Sequence, residues 1–158
     1  MTATGSLLPD GTRRFTTIWS RVVHPLAHSA LPRPEFERLL LPLTQRLFAA
    51  LHAQPFDPTP GREVGAALVA AGCTDPNALP QILGVVDAYL LLYCQGGAPL
   101  PVDEGRARCA RLQHAIAAGY ANALRDRTRA ETWAIARTAA GPGVTADLRW
   151  QDPSHRGG

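Results

Sequence analysis

Lysine is absent: all 16 basic residues of this chain are arginine. Cysteine is scarce and odd in number, with Cys73, Cys94 and Cys109 outside any CxxC spacing, which argues against both a disulfide framework and a zinc site. No hydrophobic run reaches transmembrane length. The opening MTATGSLLPDGTRRF lacks the basic-then-apolar pattern of a signal peptide, so a cytoplasmic location is expected. Charge of one sign is also missing, the net being +3. The nearest basic cluster, Arg125, Arg127 and Arg129, is interrupted by Asp126 and followed by Glu131. Alternation of that kind marks a solvated helix face rather than a phosphate-binding stripe, so nucleic-acid binding is not expected. Gly96-Gly97 follows a helical run rather than a strand and makes no phosphate loop.

What the chain does have is length and apolar content. Its 158 residues, 46% hydrophobic, suffice for one domain with a real core. Ala and Leu dominate that fraction and β-branched residues are sparse, a balance that favours helix over sheet. The expectation is an all-α, single-domain bundle of about five helices with a long C-terminal helix. Residues 1–11 read as a flexible lead-in, 12–140 as the helical domain and 141–158 as a disordered tail.

The helical periods are distinct. Phe15, Ile18, Trp19 and Val22 set a first helix from about Thr12 to Val23, broken at His24-Pro25, with a short turn through Leu26 to Ala30. Pro34 and Glu35 open a second, whose apolar stripe runs from Phe36 to Leu51 across a kinking Pro42. The run Gln54–Gly61 reads as a turn, and a third helix covers Arg62 to Ala71 with Gly72 as its C-terminal cap. Thr74 or Asp75 is expected to cap a fourth helix with Pro76 near its first position. That helix is apolar nearly all round, which predicts the buried centre of the bundle, and Gln95-Gly96-Gly97 ends it. A fifth starts near Pro101 and extends to about Ala140, its stripe thinning into charge after Leu124. At ~1.5 Å per residue it would outrun a bundle of this size, which suggests a linker or dimerisation role.

Candidate chemistry is thin. His24 and His28 are four apart, but Pro25 lies between them and no nearby Cys, Asp or Glu completes a metal set. His52 and His114 fall on or near apolar helical faces, where one imidazole could serve as an axial haem ligand. Cys94 reads as a small core hydrophobe, and Cys73 at a helix junction is the better candidate redox thiol. Asp87 stands inside an apolar helix and is expected at a bundle edge or paired with an arginine. No Ser-His-Asp or Cys-His arrangement can be assembled, so no catalytic, cofactor-binding or metal residue is assigned, and the chain is expected not to be an enzyme.

Three runs carry a resemblance: RFTTIWSRVVHPL, the stretch from Leu51 to Cys94 that includes PFDPTPGREVGAAL and AGCTDPNAL, and CARLQHAIAAGYANALRDRT. Together they resemble the N-terminal helical domain of actinobacterial cyclic di-GMP signalling proteins, which precedes PAS, GGDEF diguanylate cyclase and often EAL phosphodiesterase domains. Neither a GG[DE]EF nor an ExL signature is present in this chain, so no catalytic residue carries over. The resemblance implies a non-catalytic regulatory or sensory module, either a separated N-terminal part or a stand-alone paralogue. Its long last helix would act by homodimerisation or on a downstream domain. The competing expectation is a helical sensor holding a small ligand or haem.

Overall fold

The computed structural model describes residues 10–94 and 98–141. The predicted tail after Gly141, the lead-in before Asp10 and the helix stop at Gln95–Gly97 lie outside the described residues. Five α-helices follow in order: α1 (Asp10–Val23), α2 (Arg33–His52), α3 (Thr59–Ala70), α4 (Ala78–Tyr93) and α5 (Val102–Ala139), with a 3₁₀ turn at His24–Leu26 after α1. The described residues contain no strand. The all-α reading therefore holds, with the long helix last.

Packing divides the chain into two units, up to Asp126 and from Arg127 onward. The division falls inside α5, where the apolar stripe of the sequence gives way to charge. In the first unit, Phe15, Trp19 and Val23 of α1 are fully buried against α2 and α4. Phe36, Leu40 and Leu47 of α2, Leu68 of α3, Ile82 and Leu90 of α4, and Leu112 and Ile116 of α5 complete the core. Between α1 and α2, the Thr16 hydroxyl donates to Thr44 Oγ1 at 2.9 Å, and Thr44 in turn donates to the Leu40 carbonyl at 3.2 Å. A buried polar pair of this kind fixes the register of an otherwise apolar interface. In the second unit, the described residues 127–141 are exposed throughout, including Trp133 at 70% and Ile135 at 69%.

Several boundaries differ from the sequence expectation. Helix α1 already includes Asp10 and Gly11, because Asp10 suits the positive end of the helix and pairs with Arg14 one turn on at 3.3 Å. Helix α3 begins at Thr59, three residues before Arg62. Asp57 accepts from both the amide and the hydroxyl of Thr59, which starts the turn, and Pro60 fits the first helical positions. Asp75 does not cap α4 directly: its carboxylate takes the Asn77 amide at 2.8 Å, and the helix starts only at Ala78. Pro42 sits inside α2 without ending it.

The larger correction concerns α4, which is not the centre of the bundle. It buries Ile82, Val85, Val86 and Leu90 along one face, while Leu91 and Leu92 are 38% and 59% exposed. Hydrophobicity all round a helix raises its tendency to be buried, but the number of neighbours decides how many faces are covered. Helix α1 takes the more enclosed place, between α2 and α4.

Glycine sets the α3–α5 contact. A Cβ on Gly65 would lie 2.1 Å from the Ile116 carbonyl oxygen, and one on Gly119 would lie 2.0 Å from the Arg62 carbonyl oxygen. Only hydrogen fits at either place. At the end of α3, Gly72 adopts φ +94° as expected of a capping glycine. Its amide bonds to Val69 and that of Cys73 to Leu68, each at 3.0 Å, the paired bonds of a Schellman cap.

Replacing Gly65 or Gly119 by alanine should cost about 1–3 kcal/mol through overpacking and lower Tm by several degrees. Gly84→Ala on α4, where nothing lies within 4 Å of the added Cβ, should instead stabilise by about 0.5–1 kcal/mol. Thermal melts followed by circular dichroism separate the two signs.

Candidate functional site

The first unit contains a cleft of about 410 Å³ where the C-terminal ends of α2 and α4 meet the start of α5. Its walls are Leu51 and His52, Leu91 and Cys94, the segment Ala98-Pro99-Leu100-Pro101, and Val102 and Gly105. None of these side chains carries a fixed charge. Volume and lining fall within the range of small-molecule sites.

Beside the cleft stands Arg108. This side chain, only 8% exposed, projects from α5 to the end of α2, where the last carbonyls of a helix have no partner of their own. Its Nη1 donates to the carbonyls of Leu51 and Ala53, both at 3.0 Å, and Nη2 pairs with Glu104. The guanidinium also lies 5.2 Å from the centroid of the Phe56 ring, which Arg111 approaches at 4.9 Å. A cation at a helix C-terminus is further favoured by the helix dipole. One residue thus ties α2, the connection to α3 and the start of α5 together beside the cleft. The sequence held one signal for it: an arginine standing in the apolar stripe between Gly105 and Leu112. Sequence reasoning passed over it.

The histidines separate. His52 lines the cleft, and its Nε2 is buried without a hydrogen-bond partner among the described residues, a cost of about 1–3 kcal/mol. His114 is exposed on α5 and lines no part of the cleft. His24, in the 3₁₀ turn, shares a hydrogen bond with the Leu31 carbonyl at 2.9 Å and stacks edge-on to Phe36. His28 lies in the following irregular segment, its amide bonded to Gly72, so the two do not share a helix face. No group of three or more potential metal ligands occurs among the described residues. The fit to haem is poor: the His52 Nε2 is covered by protein, and no described residue lining the cleft is a cation that could meet propionates.

The thiols reverse the expected order. Cys73 is fully buried and Cys94 half-buried at the cleft, so Cys73 is not the better redox candidate. Burial pushes both up to about 11 and raises Cys109 as well. Cys73 instead contributes its carbonyl, which accepts from the Tyr120 hydroxyl at 2.6 Å and fastens the α3–α4 connection to α5. Asp87 lies at the bundle edge, accepting from Gln113 Nε2 at 3.0 Å rather than pairing with an arginine. On the exposed part of α5, Arg127 and Glu131 form an ion pair at 3.0 Å, one turn apart.

Fold and cleft together define a class, an all-α bundle with an uncharged, largely apolar cleft. Comparison with protein-family models, curated proteins and solved structures returns no match for this chain. No described helix is long and apolar enough to cross a membrane.

Arg108→Met should strand the Leu51 and Ala53 carbonyls and cost about 3 kcal/mol in denaturant unfolding. The thiols give a second expectation. Burial pushes the Cys73 and Cys94 thiols up from the ordinary 9.0 to about 11 in the folded chain. Between those values the unfolded state binds fewer protons, so stability should fall as pH rises through that window. Urea titrations at stepped pH measure it, and alkylation of both thiols at neutral pH should be slow.

Proposed function

We propose that this chain is a non-catalytic regulatory module of the kind that precedes PAS and GGDEF domains in cyclic di-GMP signalling, and that it acts through the exposed end of α5. The observation that carries this reading is the run Arg125–Gly141. It is helical through Ala139 and exposed throughout, yet it holds Trp133 and Ile135 at 70% and 69% exposure. Isolated helices of this length are marginal in water. A tryptophan in such a place is costly to solvate and is the residue type most enriched at the anchoring points of interfaces. Self-association through α5, or contact with an output domain, would cover it. A coupling of about 1–3 kcal/mol would suffice for regulation.

A second reading, small-ligand sensing, draws its support from the cleft. The two are compatible, since Gly105 and Arg108 of α5 lie at the cleft and the same helix continues to Trp133.

Sedimentation equilibrium tests the first. The wild-type chain should dimerise, and Trp133→Glu with Ile135→Glu should weaken association by at least about tenfold, or 1.4 kcal/mol, without changing Tm. The chain fused ahead of a GGDEF cyclase should lose regulated turnover when the Arg125–Glu131 face is neutralised. A monomer at all accessible concentrations, with turnover of the fusion unaffected, removes the reading.

A further inference from the structure

From the cleft we infer a binding site for a small, uncharged, largely apolar molecule, independent of how α5 couples to a partner. Size comes first. About 410 Å³ admits a compound of up to three rings but not a helix or a folded peptide. Charge comes next. The lining residues Leu51, Leu91, Leu100 and Val102 are aliphatic, and Pro99 and Pro101 add rigid apolar rings. Among the described residues, no arginine, aspartate or glutamate lines the cleft, and the nearby Arg108 is committed to the Leu51 and Ala53 carbonyls. A carboxylate or phosphate entering here would be desolvated without compensation, so ionic ligands are selected against.

Little in the wall is polar. The Cys94 thiol reaches only a long 3.9 Å contact with the Phe48 carbonyl, while the His52 Nε2 is covered by protein and out of a ligand's reach. A neutral ligand with at most one polar group on an apolar body matches such a wall. Two of the cleft's walls, the end of α2 and the start of α5, are tied together by Arg108 through the Leu51 and Ala53 carbonyls. Occupancy would bridge α4 and α5 through Leu91 and Gly105, where a Cβ on Gly105 would already lie 3.3 Å from the Leu91 side chain.

Titration with N-phenyl-1-naphthylamine tests the site, because this fluorophore is neutral, aromatic and carries one N–H. Saturable fluorescence enhancement at one probe per chain is expected. The anionic analogue 8-anilinonaphthalene-1-sulfonate should bind at least about tenfold more weakly. Leu91→Trp should fill the cleft and reduce binding by a similar factor, whereas Leu92→Trp, one residue on and outside the cleft, should not. In the unaltered protein, saturating probe should slow iodoacetamide modification of Cys94 while leaving Cys73 unchanged, a reading that needs no variant to fold. The proposal is overturned if the neutral probe shows no saturable binding, if Leu91→Trp melts normally and binds undiminished, if Cys94 modification is unaffected, or if the anionic analogue binds as tightly.

Discussion

A buried guanidinium at the end of a helix is the constraint on which much of the first unit depends. Arg108 leaves water because three kinds of partner replace it: two backbone carbonyls, the Glu104 carboxylate and the face of Phe56. The α2 carbonyls need such a partner, since the chain turns away after His52 and the helix cannot supply its own donors. Arginine suits the place better than lysine would, because its planar fork donates to several acceptors at once. The arrangement joins segments more than fifty residues apart in sequence, and the cleft lies alongside it.

Close packing between α3 and α5 is the second constraint. Gly61 and Gly65 on one helix and Gly119 on the other leave no room for even a methyl group, so the two backbones approach directly. Tyr120, one residue beyond Gly119, then reaches the Cys73 carbonyl. Glycine in a helix interior costs conformational entropy, and here the close approach offsets it. From Gly105 to Tyr120, α5 is therefore a structural helix of the first unit. Beyond Leu124 the same helix presents charge, alanine and an exposed tryptophan. One element thus has two characters, and the change between them coincides with the division of the chain into two units.

The fold was largely legible beforehand, for identifiable reasons. The 3.6-residue stripes of Phe15–Trp19, Phe36–Leu51 and Cys109–Tyr120 placed the helices, and Gly72 marked the end of α3. Helix starts were less legible because Asp57 and Asp75 bind amides two residues on rather than capping in the simplest register. The centrality of α4 was misread because uniform apolarity does not say which neighbours are present. The candidate site was scarcely legible at all: of its residues only His52 and Cys94 drew notice, and for other chemistry. Leu51, Leu91, Pro99 and Gly105 look ordinary until three helix ends converge.

Composition and periodicity alone settled that the chain is helical, where its helices run and which is longest, because those follow from local propensity and from which face of a helix is apolar. The scarce and odd-numbered cysteines likewise argued from the start against a disulfide framework and a zinc site. Tertiary structure alone decided which helix lies innermost, which arginine is buried, which thiol is covered and where a cleft opens. Those depend on contacts between residues far apart in sequence, and no local pattern encodes the distance at which two helix ends come to rest.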